Sequence, residues 1–567
     1  MEIIEAKIKD IVNETFDVDT DLALKPTNKK FGDYSTNVAL RLAKQLGISP
    51  QDFCEKIQGK ILEIEEVKSV SQKNGHINIV IDPVFVAKEV ELMLKNKTYK
   101  KEVDADSKLA IVEFPSPNMA KPFSVGHLRS ANQGWAAKQI LEVTGWRVIT
   151  DNHIGDYGTP FGIWVVGYKR FSNETKLKEG GIYELGRIYI ETRKLMKEEA
   201  LEGKNDVSNE VQAWFQKLNS NDPEAVKYHK MFYDISLNHM HTVMKRLGIY
   251  TDYEYGEASY VKLANELVDK YIKEGIFTVN KDSSVIVELK EFGIDTPMLM
   301  RKSNGLPLYA TTDLGTLVFR KEKFNPDLAV YVVGNEQQFY FRQLFALAKK
   351  VGIDYDLYHL SYGLIEQIDE ETGKRQKMSS RKGTVLLEEL LDQAESRVKK
   401  IVKTKDIDED DVRKIAVGAI KFRDFAQDRT GNYLFEWDTI FNLTGFSGPY
   451  IQYATVRINK ILRDNEEKAG SCFCEGYDYE SEKDILLKLN DFPKLIQKTA
   501  ENFAFHSLAL YLYDLAKLVN VYYDKVPILK GEVSDEDKKA RIGFLNQVSQ
   551  VLTEGLDILG IEVPVNM

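Results

Sequence analysis

The alternation of hydrophobic and polar positions divides the chain into three stretches. The first combines a helical pattern over residues 1–12, a second over 36–46 and an alternating strand pattern over 76–81. The polar segment 100–107 then interrupts the pattern. These features predict a small α/β domain over residues 1–105.

The second stretch begins with an apolar run at residues 109–114, which stops at Pro115 and indicates a buried strand. Helical spacing follows over 125–145, and another strand pattern over 147–150. Strand, helix and strand in this order predict a βαβ unit, whose two strands are parallel.

The same order returns as a strand at 328–334, a helix at 338–351 and a strand at 358–365. A charged, helical segment over residues 171–252 separates the two halves, which is typical of an insertion into a doubly wound sheet. We therefore expect a Rossmann-type parallel-sheet domain with a helical insertion over residues 106–390.

From Thr384 onward the apolar positions recur almost only at helical spacing. The long periodic segments are 386–402, 410–426, 450–465, 483–502, 507–523 and 535–559. We expect an all-α bundle over residues 391–567. The predicted fold class is thus multidomain α/β, with an α/β domain first, a parallel-sheet domain second and a helical bundle last.

The composition of the chain excludes several classes of protein. With 567 residues the chain is too long for one core. It has no apolar run long enough to span a membrane and no basic-then-apolar N-terminal signal, so we expect a cytoplasmic protein. The three cysteines, Cys54, Cys472 and Cys474, have neither the number nor the spacing for a disulfide framework or a zinc site, and no metal site is expected.

The net charge of −10 argues mildly against a nucleic-acid binder. Phosphate contacts depend on local patches, however, and basic residues cluster at 374–382 and at 397–405. The second cluster is equally consistent with a solvated helix face.

Two loops carry candidate chemistry. The first, residues 113–128, joins a predicted strand to a helix that begins near Gly126 and His127. A helix N-terminus at that place offers N–H groups to a phosphate, glycine leaves room for a flat base, and histidine can donate to phosphate oxygens. Taken alone, the pair also fits an ordinary helix start with a solvated histidine.

The second loop runs from Lys377 to Gly383 and contains two lysines, an arginine and two hydroxyls before a helix. Such a loop suits a triphosphate whose negative charge develops during transfer. Taken alone, it also fits a solvated basic loop.

Together the two loops resemble the HIGH and KMSKS motifs of class I aminoacyl-tRNA synthetases. Longer words are similar to one family, the arginyl-tRNA synthetases, and the similarity covers nearly the whole chain. The words are SPNMAKPF (116–123), NHIGDYG (152–158), YATTD (309–313), SSRKG (379–383) and GPYIQYA (448–454).

The resemblance implies ATP with Mg²⁺ as a substrate complex and no permanent cofactor. It also implies arginine and tRNA as partners, a monomer, and activation of arginine that requires bound tRNA. Implied arginine-binding residues are Glu113, Asn118, Tyr309, Asp313 and Gln337. Asp313 is the best candidate for the guanidinium partner. A packed tyrosine at 309 and a helix N-cap at 313 remain alternatives.

The resemblance implies that ATP is bound by Pro117, Ser124, Gly126, His127, Lys377, Met378, Ser379 and Ser380. The implied catalytic residues are Lys121, Ser124, His127, Lys377 and Arg381.

This sequence departs from the motifs at two positions. Ser124 stands in place of the first histidine and brings no charge, and Ser380 stands in place of the second lysine. The resemblance implies that a lysine just upstream of the first motif substitutes, and Lys121 occupies that place. We expect Lys121 and Lys377 to be the main cations on the ATP phosphates.

The implied tRNA-binding residues are Phe31, Tyr34, Tyr450, Tyr453, Arg457 and Met567. For Phe31 and Tyr34, packing of their loop is an equally good explanation. The next three share one helix face at i, i+3 and i+7, which suits splayed anticodon bases.

Two other functions remain open at this point. One is a class I synthetase for another amino acid, and the other is a catalytically silent tRNA-binding paralogue, which Ser124 favours slightly.

Overall fold

The computed structural model describes residues 2–119, 121–369, 372–378, 385–402, 407–465, 473–529 and 533–567. The chain divides into two compact units. The first comprises Met1–Tyr99, Arg457–Leu495 and Asp514–Leu552, and the second comprises Lys100–Val456, Ile496–Tyr513 and Thr553–Met567.

The strands of the described residues are β1 (Lys25–Pro26), β2 (Tyr34–Thr36), β3 (Val67–Lys73), β4 (His76–Ile81), β5 (Leu109–Glu113), β6 (Arg147–Asp151), β7 (Thr278–Val279), β8 (Val285–Leu289), β9 (Ile294–Arg301), β10 (Leu328–Tyr331), β11 (Asp356–His359), β12 (Ile365–Ile368), β13 (Arg375–Lys377) and β14 (Tyr433–Leu434).

The helices are α1 (Glu2–Phe16), α2 (Val38–Leu46), α3 (Pro50–Leu62), α4 (Pro83–Lys95), α5 (Leu128–Val143), α6 (Thr159–Phe171), α7 (Glu174–Leu201), α8 (Asp206–Asn219), α9 (Pro223–Arg246), α10 (Val261–Lys273), α11 (Tyr309–Phe324), α12 (Gln338–Lys350), α13 (Leu387–Ile401), α14 (Glu409–Phe425), α15 (Trp437–Ile440), α16 (Gly448–Arg463), α17 (Lys483–Asn490), α18 (Phe492–Asn502), α19 (Phe505–Lys525) and α20 (Asp535–Ile558).

A parallel four-stranded sheet in the order β11-β10-β5-β6 forms the centre of the second unit. Helix α5 leads from β5 to β6 on one side, whereas α12 leads from β10 to β11 on the other. The strand order therefore reverses between β5 and β10. In such sheets ligands bind beyond the carboxyl ends of the strands at this switch point, next to Glu113 and Tyr331.

Helix α5 lies directly on the sheet because Gly134 allows a close approach. A Cβ added to Gly134 would lie 2.2 Å from Cγ of Phe114, the residue after β5. All five residues of β5 are buried, as expected for a strand covered on both faces. The start of α5 is thus held at the end of β5.

Other helix starts follow from local sequence. Helix α3 begins with Pro50 after Ser49, whose side chain accepts from the Asp52 N–H in a capping box. Helices α4 and α9 begin in the same way, with an aspartate N-cap followed by proline.

The first unit contains the antiparallel sheet β1-β2-β4-β3. Gly32, before β2, has φ +141°, and an added Cβ would lie 2.8 Å from the Ile79 carbonyl oxygen. The adjacent Asp33 carboxylate accepts from the Ile81 N–H at 2.8 Å and pairs with Lys483 of α17 at 2.8 Å. The loop of residues 31–34 therefore joins the sheet to helix α17.

The predicted parallel sheet, helical insertion and helical C-terminal domain are confirmed, but two predicted elements are divided. The expected strand over 358–365 is two strands, β11 and β12, because the chain turns around Gly363, where an added Cβ would lie 2.5 Å from the Gly431 carbonyl oxygen. The expected helix over 483–502 is two helices, since Pro493 cannot donate a hydrogen bond to the preceding turn.

The structure also contains strands that hydrophobic periodicity did not predict. Strands β7, β8 and β9 form an antiparallel sheet, and β13 and β14 lie on either side of β12 in a mixed sheet. No helix within the described ranges combines the length and the apolar character needed to cross a bilayer.

Candidate active site

A cleft of about 600 Å³ opens at the switch point of the parallel sheet. Its walls come from the first motif loop, which includes Asn118, Lys121 and His127, and from the turn 332–337 after β10, the segment 362–365 and the pair Lys377 and Met378. The two loops singled out from the sequence thus face the same cavity, although more than 200 positions separate them in the chain.

The first wall holds the start of α5. The Ser124 N–H donates to Nδ1 of His127 at 3.1 Å, so Nδ1 is an acceptor and the imidazole proton is on Nε2. Burial, and after it the charges of Lys121 and Lys377, lower the pKa of His127 to about 4. His127 is therefore a neutral donor at physiological pH.

The second wall carries Lys377 at the end of β13. The Met378 N–H donates to the Ile365 carbonyl at 2.9 Å. This bond fixes residues 375–378, here called the Lys377 arm, to β12. Farther along, the Val125 N–H donates to Val385 and the Leu387 N–H to Phe123, at 3.1 and 3.0 Å. These backbone bonds fix Met378 to β12 on one side of the second loop and residues 385–387 to the first loop on the other.

Three residues predicted in this loop, Ser379, Ser380 and Arg381, lie outside the described residues. Of the other predicted ATP-binding residues, Pro117 lines a small adjoining cavity rather than the cleft. Ser124, Gly126, His127, Lys377 and Met378 all line the cleft, as does Lys121.

A buried charge cluster lies at the carboxyl ends of β5 and β6. The guanidinium of Arg320, from α11, donates to Glu113 at 2.6 Å and to Asp151 at 2.7 Å. Arg320 is 1% exposed, and its two partners are also buried. One cation thus faces two carboxylates, which leaves an excess of negative charge in a site of low dielectric.

Asp313, one turn into α11, extends this cluster. Its carboxylate accepts from the Tyr340 hydroxyl and lies 3.8 Å from Nε2 of His153. Burial raises the pKa of Asp313 to about 6. Because α11 begins at Tyr309 with Leu308 as its N-cap, Asp313 is not a helix cap.

Glu257 is a fourth carboxyl of this cluster, and sequence reasoning missed it. Burial, and after it the charges of Asp313, Asp156 and Glu113, raise its pKa to about 9. The preceding Gly256 lies against Asp156, where an added Cβ would be 2.3 Å from Oδ2. A lone glutamate in an unremarkable segment gives no signal at the level of sequence, and only the fold brings it to the other carboxyls.

The predicted arginine-binding residues fall into two sets. Asn118 and Gln337 line the cleft, whereas Glu113, Tyr309 and Asp313 do not. Tyr309 is 61% exposed at the first position of α11, so it is not a packed core tyrosine.

The helical insertion, to which no chemistry was assigned, contributes to the cleft. Gly186, Tyr189 and Ile190 of α7 form part of its wall. Among the residues that the structure describes, no group of three or more His, Cys, Asp or Glu side chains is arranged to hold a metal ion.

The predicted tRNA-binding residues differ in their exposure. In the first unit Phe31 is 37% exposed with the Lys73 ammonium over its ring, whereas Tyr34 is 7% exposed. Packing therefore accounts for Tyr34, and a stacking role for its ring is not supported. Arg457 is exposed on α16 with its guanidinium 4.8 Å from the Tyr523 ring centroid.

In the second unit Tyr450 packs against Tyr513 with a centroid distance of 5.3 Å, and Tyr453 is 39% exposed. Met567 follows Val565 and Asn566, whose N–H groups both donate to Asp411. The C-terminal segment is therefore anchored to α14.

Comparison with known families agrees with this geometry. The family described as "tRNA synthetases class I (R), catalytic domain" matches residues 89–437, "DALR anticodon binding domain" matches 451–567, and "Arginyl tRNA synthetase N terminal domain" matches 2–81. The parallel sheet, with its cleft at the switch point, is thus a class I aminoacyl-tRNA synthetase catalytic domain.

Full-length relatives narrow the assignment. Arginine–tRNA ligases of Exiguobacterium sp. and Streptococcus thermophilus are each 33% identical to the chain, over 98% and 100% of its length and 98% and 99% of theirs. The chain belongs to the arginyl-tRNA synthetase family.

Solved structures share the fold. Arginyl-tRNA synthetase of Thermus thermophilus superposes with a TM-score of 0.77 at 21% identity, with 100% of both chains covered. The Plasmodium falciparum enzyme gives 0.75 at 22% identity, with 100% of this chain and 99% of the other covered.

The buried cluster leads to a prediction about stability. Arg320→Met leaves Glu113 and Asp151 buried without their cation, so we expect a loss of about 3–5 kcal/mol in the free energy of unfolding of the second unit, measured by urea denaturation. Arg301→Met is the matched control, because its partner Asp269 is 58% exposed and such pairs contribute less than about 1 kcal/mol. Equal losses in the two variants would contradict the assignment of a buried, interdependent cluster.

Proposed function

We propose that this protein ligates L-arginine to tRNA in an ATP-dependent reaction that proceeds through arginyl-adenylate, with tRNA needed for activation. The observation that supports the proposal is the excess of buried carboxyls beside the cleft, which residues of both class I motifs line. A guanidinium is the cation that satisfies planar, paired carboxylates best.

In this proposal ATP occupies the cleft over the start of α5. Lys121 and Lys377 neutralise the phosphates, and the Nε2–H of His127 donates to a phosphate oxygen. Ser124 offers a hydroxyl at the same wall. Mg²⁺ enters with the nucleotide, as is usual for an ion that keeps several waters and is held mainly by substrate phosphates.

The arginine side chain reaches the carboxyls behind the cleft. Asp313 accepts from the guanidinium, and Tyr309, exposed at the first position of α11, lies within reach of the Glu257 and Asp313 charges. Glu257, protonated while the pocket holds no cation, ionises when the guanidinium arrives, because a nearby positive charge favours the charged form of a carboxyl. Asn118 and Gln337, which line the cleft, orient the α-amino and carboxylate groups.

With both substrates held, a carboxylate oxygen of arginine attacks the α-phosphorus of ATP and pyrophosphate leaves. Lys121 and Lys377 stabilise the charge that develops on the leaving group. A ribose hydroxyl at the 3′ end of tRNA then attacks the carbonyl carbon of the adenylate, which forms the ester and releases AMP.

Exposed Phe31, Tyr453 and Arg457 are the proposed tRNA contacts, and Tyr450 and Met567 are further candidates. The domain boundaries at 105 and 390, a monomeric state and a cytoplasmic location stay predictions.

Exchange of radiolabelled pyrophosphate into ATP tests the proposed function directly. We expect exchange that depends on arginine and rises at least about 100-fold when tRNA is added, because the adenylate forms only in the complete complex. No exchange under any condition would support a silent tRNA-binding paralogue. Exchange with another amino acid would support a different synthetase.

Removal of one proposed phosphate ligand gives a second prediction. Lys121→Ala should lower kcat for adenylate formation about 100-fold, because one preorganised charge is lost from the transition state. Lys101→Ala is a control, since Lys101 is exposed and does not line the cleft. An unchanged rate would remove Lys121 from the catalytic site.

The raised pKa of Asp313 gives a third prediction. The carboxylate is charged above pH 6 and neutral below it, so kcat/KM for arginine should fall about tenfold for each pH unit below about 6. Tyr340→Phe removes a donor that favours the charged form, so the inflection should move to higher pH. A profile in Asp313→Asn with the same inflection as the unmodified protein would assign it to another group.

A further inference from the structure

The turn of residues 428–432, which follows α14, is hydrogen-bonded to the segment 361–365, which forms the floor of the cleft. The Gly363 N–H donates to the Arg429 carbonyl at 2.9 Å, and the Leu364 N–H donates to Oδ1 of Asn432 at 2.8 Å. The Tyr433 N–H returns a bond to the Leu364 carbonyl at 3.1 Å. Successive residues of the cleft floor are thus fixed by one turn.

Arg429 adds side-chain bonds to the same segment. One guanidinium nitrogen donates to the Ser361 carbonyl at 2.7 Å, and another donates to the Tyr358 hydroxyl at 3.0 Å. Tyr358 belongs to β11, so Arg429 spans from the parallel sheet to the chain that leaves it. A planar guanidinium with two directed bonds fixes both distance and orientation.

A buried ion pair also stabilises this turn. Arg129 of α5 pairs with Asp424 of α14 at 2.8 Å, and both side chains are at most 1% exposed. Arg129 also donates to the carbonyls of Gly363 and Gly431, each at 2.8 Å. The cleft floor and the turn are thereby tied to a single side chain of the helix that starts at His127.

The segment 361–365 continues directly towards the arm that carries Lys377. It continues into β12, which pairs with β13 so that Glu366 lies opposite Lys377. The Met378 N–H closes the arm onto Ile365 at 2.9 Å. A displacement of the segment would therefore shift Lys377 and Met378 with respect to the start of α5.

We propose that Arg429 is a positioning residue for ATP. It acts through the segment 361–365 to fix the position of the Lys377 arm relative to the start of α5. The proposal rests on the proposed function, since it takes the cleft as the ATP site. Arg429 itself does not line the cleft, and its bonds reach only protein groups. The carboxyl cluster at Asp313 makes none of these bonds, and the side chain of Arg429 reaches only Ser361 and Tyr358, so the effect on the nucleotide should exceed the effect on arginine.

Steady-state pyrophosphate exchange with saturating tRNA tests this role in Arg429→Met. We expect KM for ATP to rise about tenfold, as for the loss of two charge-assisted hydrogen bonds that hold the site, while KM for arginine stays within about twofold. Arg429→Lys restores one donor and should give a rise of about threefold. Arg301→Met, an arginine with two comparable bonds away from the cleft, should leave both constants unchanged.

The outcomes separate the alternatives. A KM for ATP within twofold of the unmodified protein in both Arg429 variants would overturn the proposal. An equal rise in both KM values would also overturn it, because that is the result of general loosening. If Arg429→Met does not fold, Arg429→Lys carries the same comparison. Absence of exchange in the unmodified protein would instead refute the proposed function.

Discussion

The arrangement of the site depends on one buried interaction, the guanidinium of Arg320 between Glu113 and Asp151. It joins the carboxyl ends of two neighbouring parallel strands to α11, and it leaves one carboxylate charge unbalanced. Burying charge is costly unless it is paired. Asp313 increases the imbalance, whereas Glu257 is a neutral carboxyl until a cation arrives, because burial and the neighbouring carboxylates raise its pKa to about 9. The pocket is thus preorganised for a cation.

The nucleotide side of the cleft depends on backbone hydrogen bonds rather than on charge pairs. Residues 123–125 pair with 385–387, and β13 pairs with β12, so the chain is fixed on both sides of the second loop. Backbone pairing defines position with little dependence on side-chain identity, which is why a loop rich in lysine and serine can serve here. The motif residues Ser124 and His127 lie opposite, where the neutral imidazole keeps a donor directed into the cleft.

Periodicity predicted the fold class well because the long helices and buried strands have strong patterns, and β4 matches residue for residue. It failed where tertiary contacts decide the outcome, as at Gly363, where close packing against Gly431 divides one predicted strand. The motifs identified most of the cleft, since they cluster in sequence. Glu257 and Arg320 could not be found in this way, because isolated residues from separate segments meet only in the folded protein. The burial of Tyr34 also argues against the stacking role that the sequence suggested for it.

The central claim is that a carboxyl pocket recognises a positive side chain by its charge. Citrulline has nearly the shape of arginine but carries no charge, so inhibition of arginine-dependent pyrophosphate exchange by citrulline is the most direct measurement. The account predicts an inhibition constant at least about 100-fold above KM for arginine, because buried carboxylates would be left without a cation. Inhibition by citrulline at concentrations comparable to KM for arginine would contradict it.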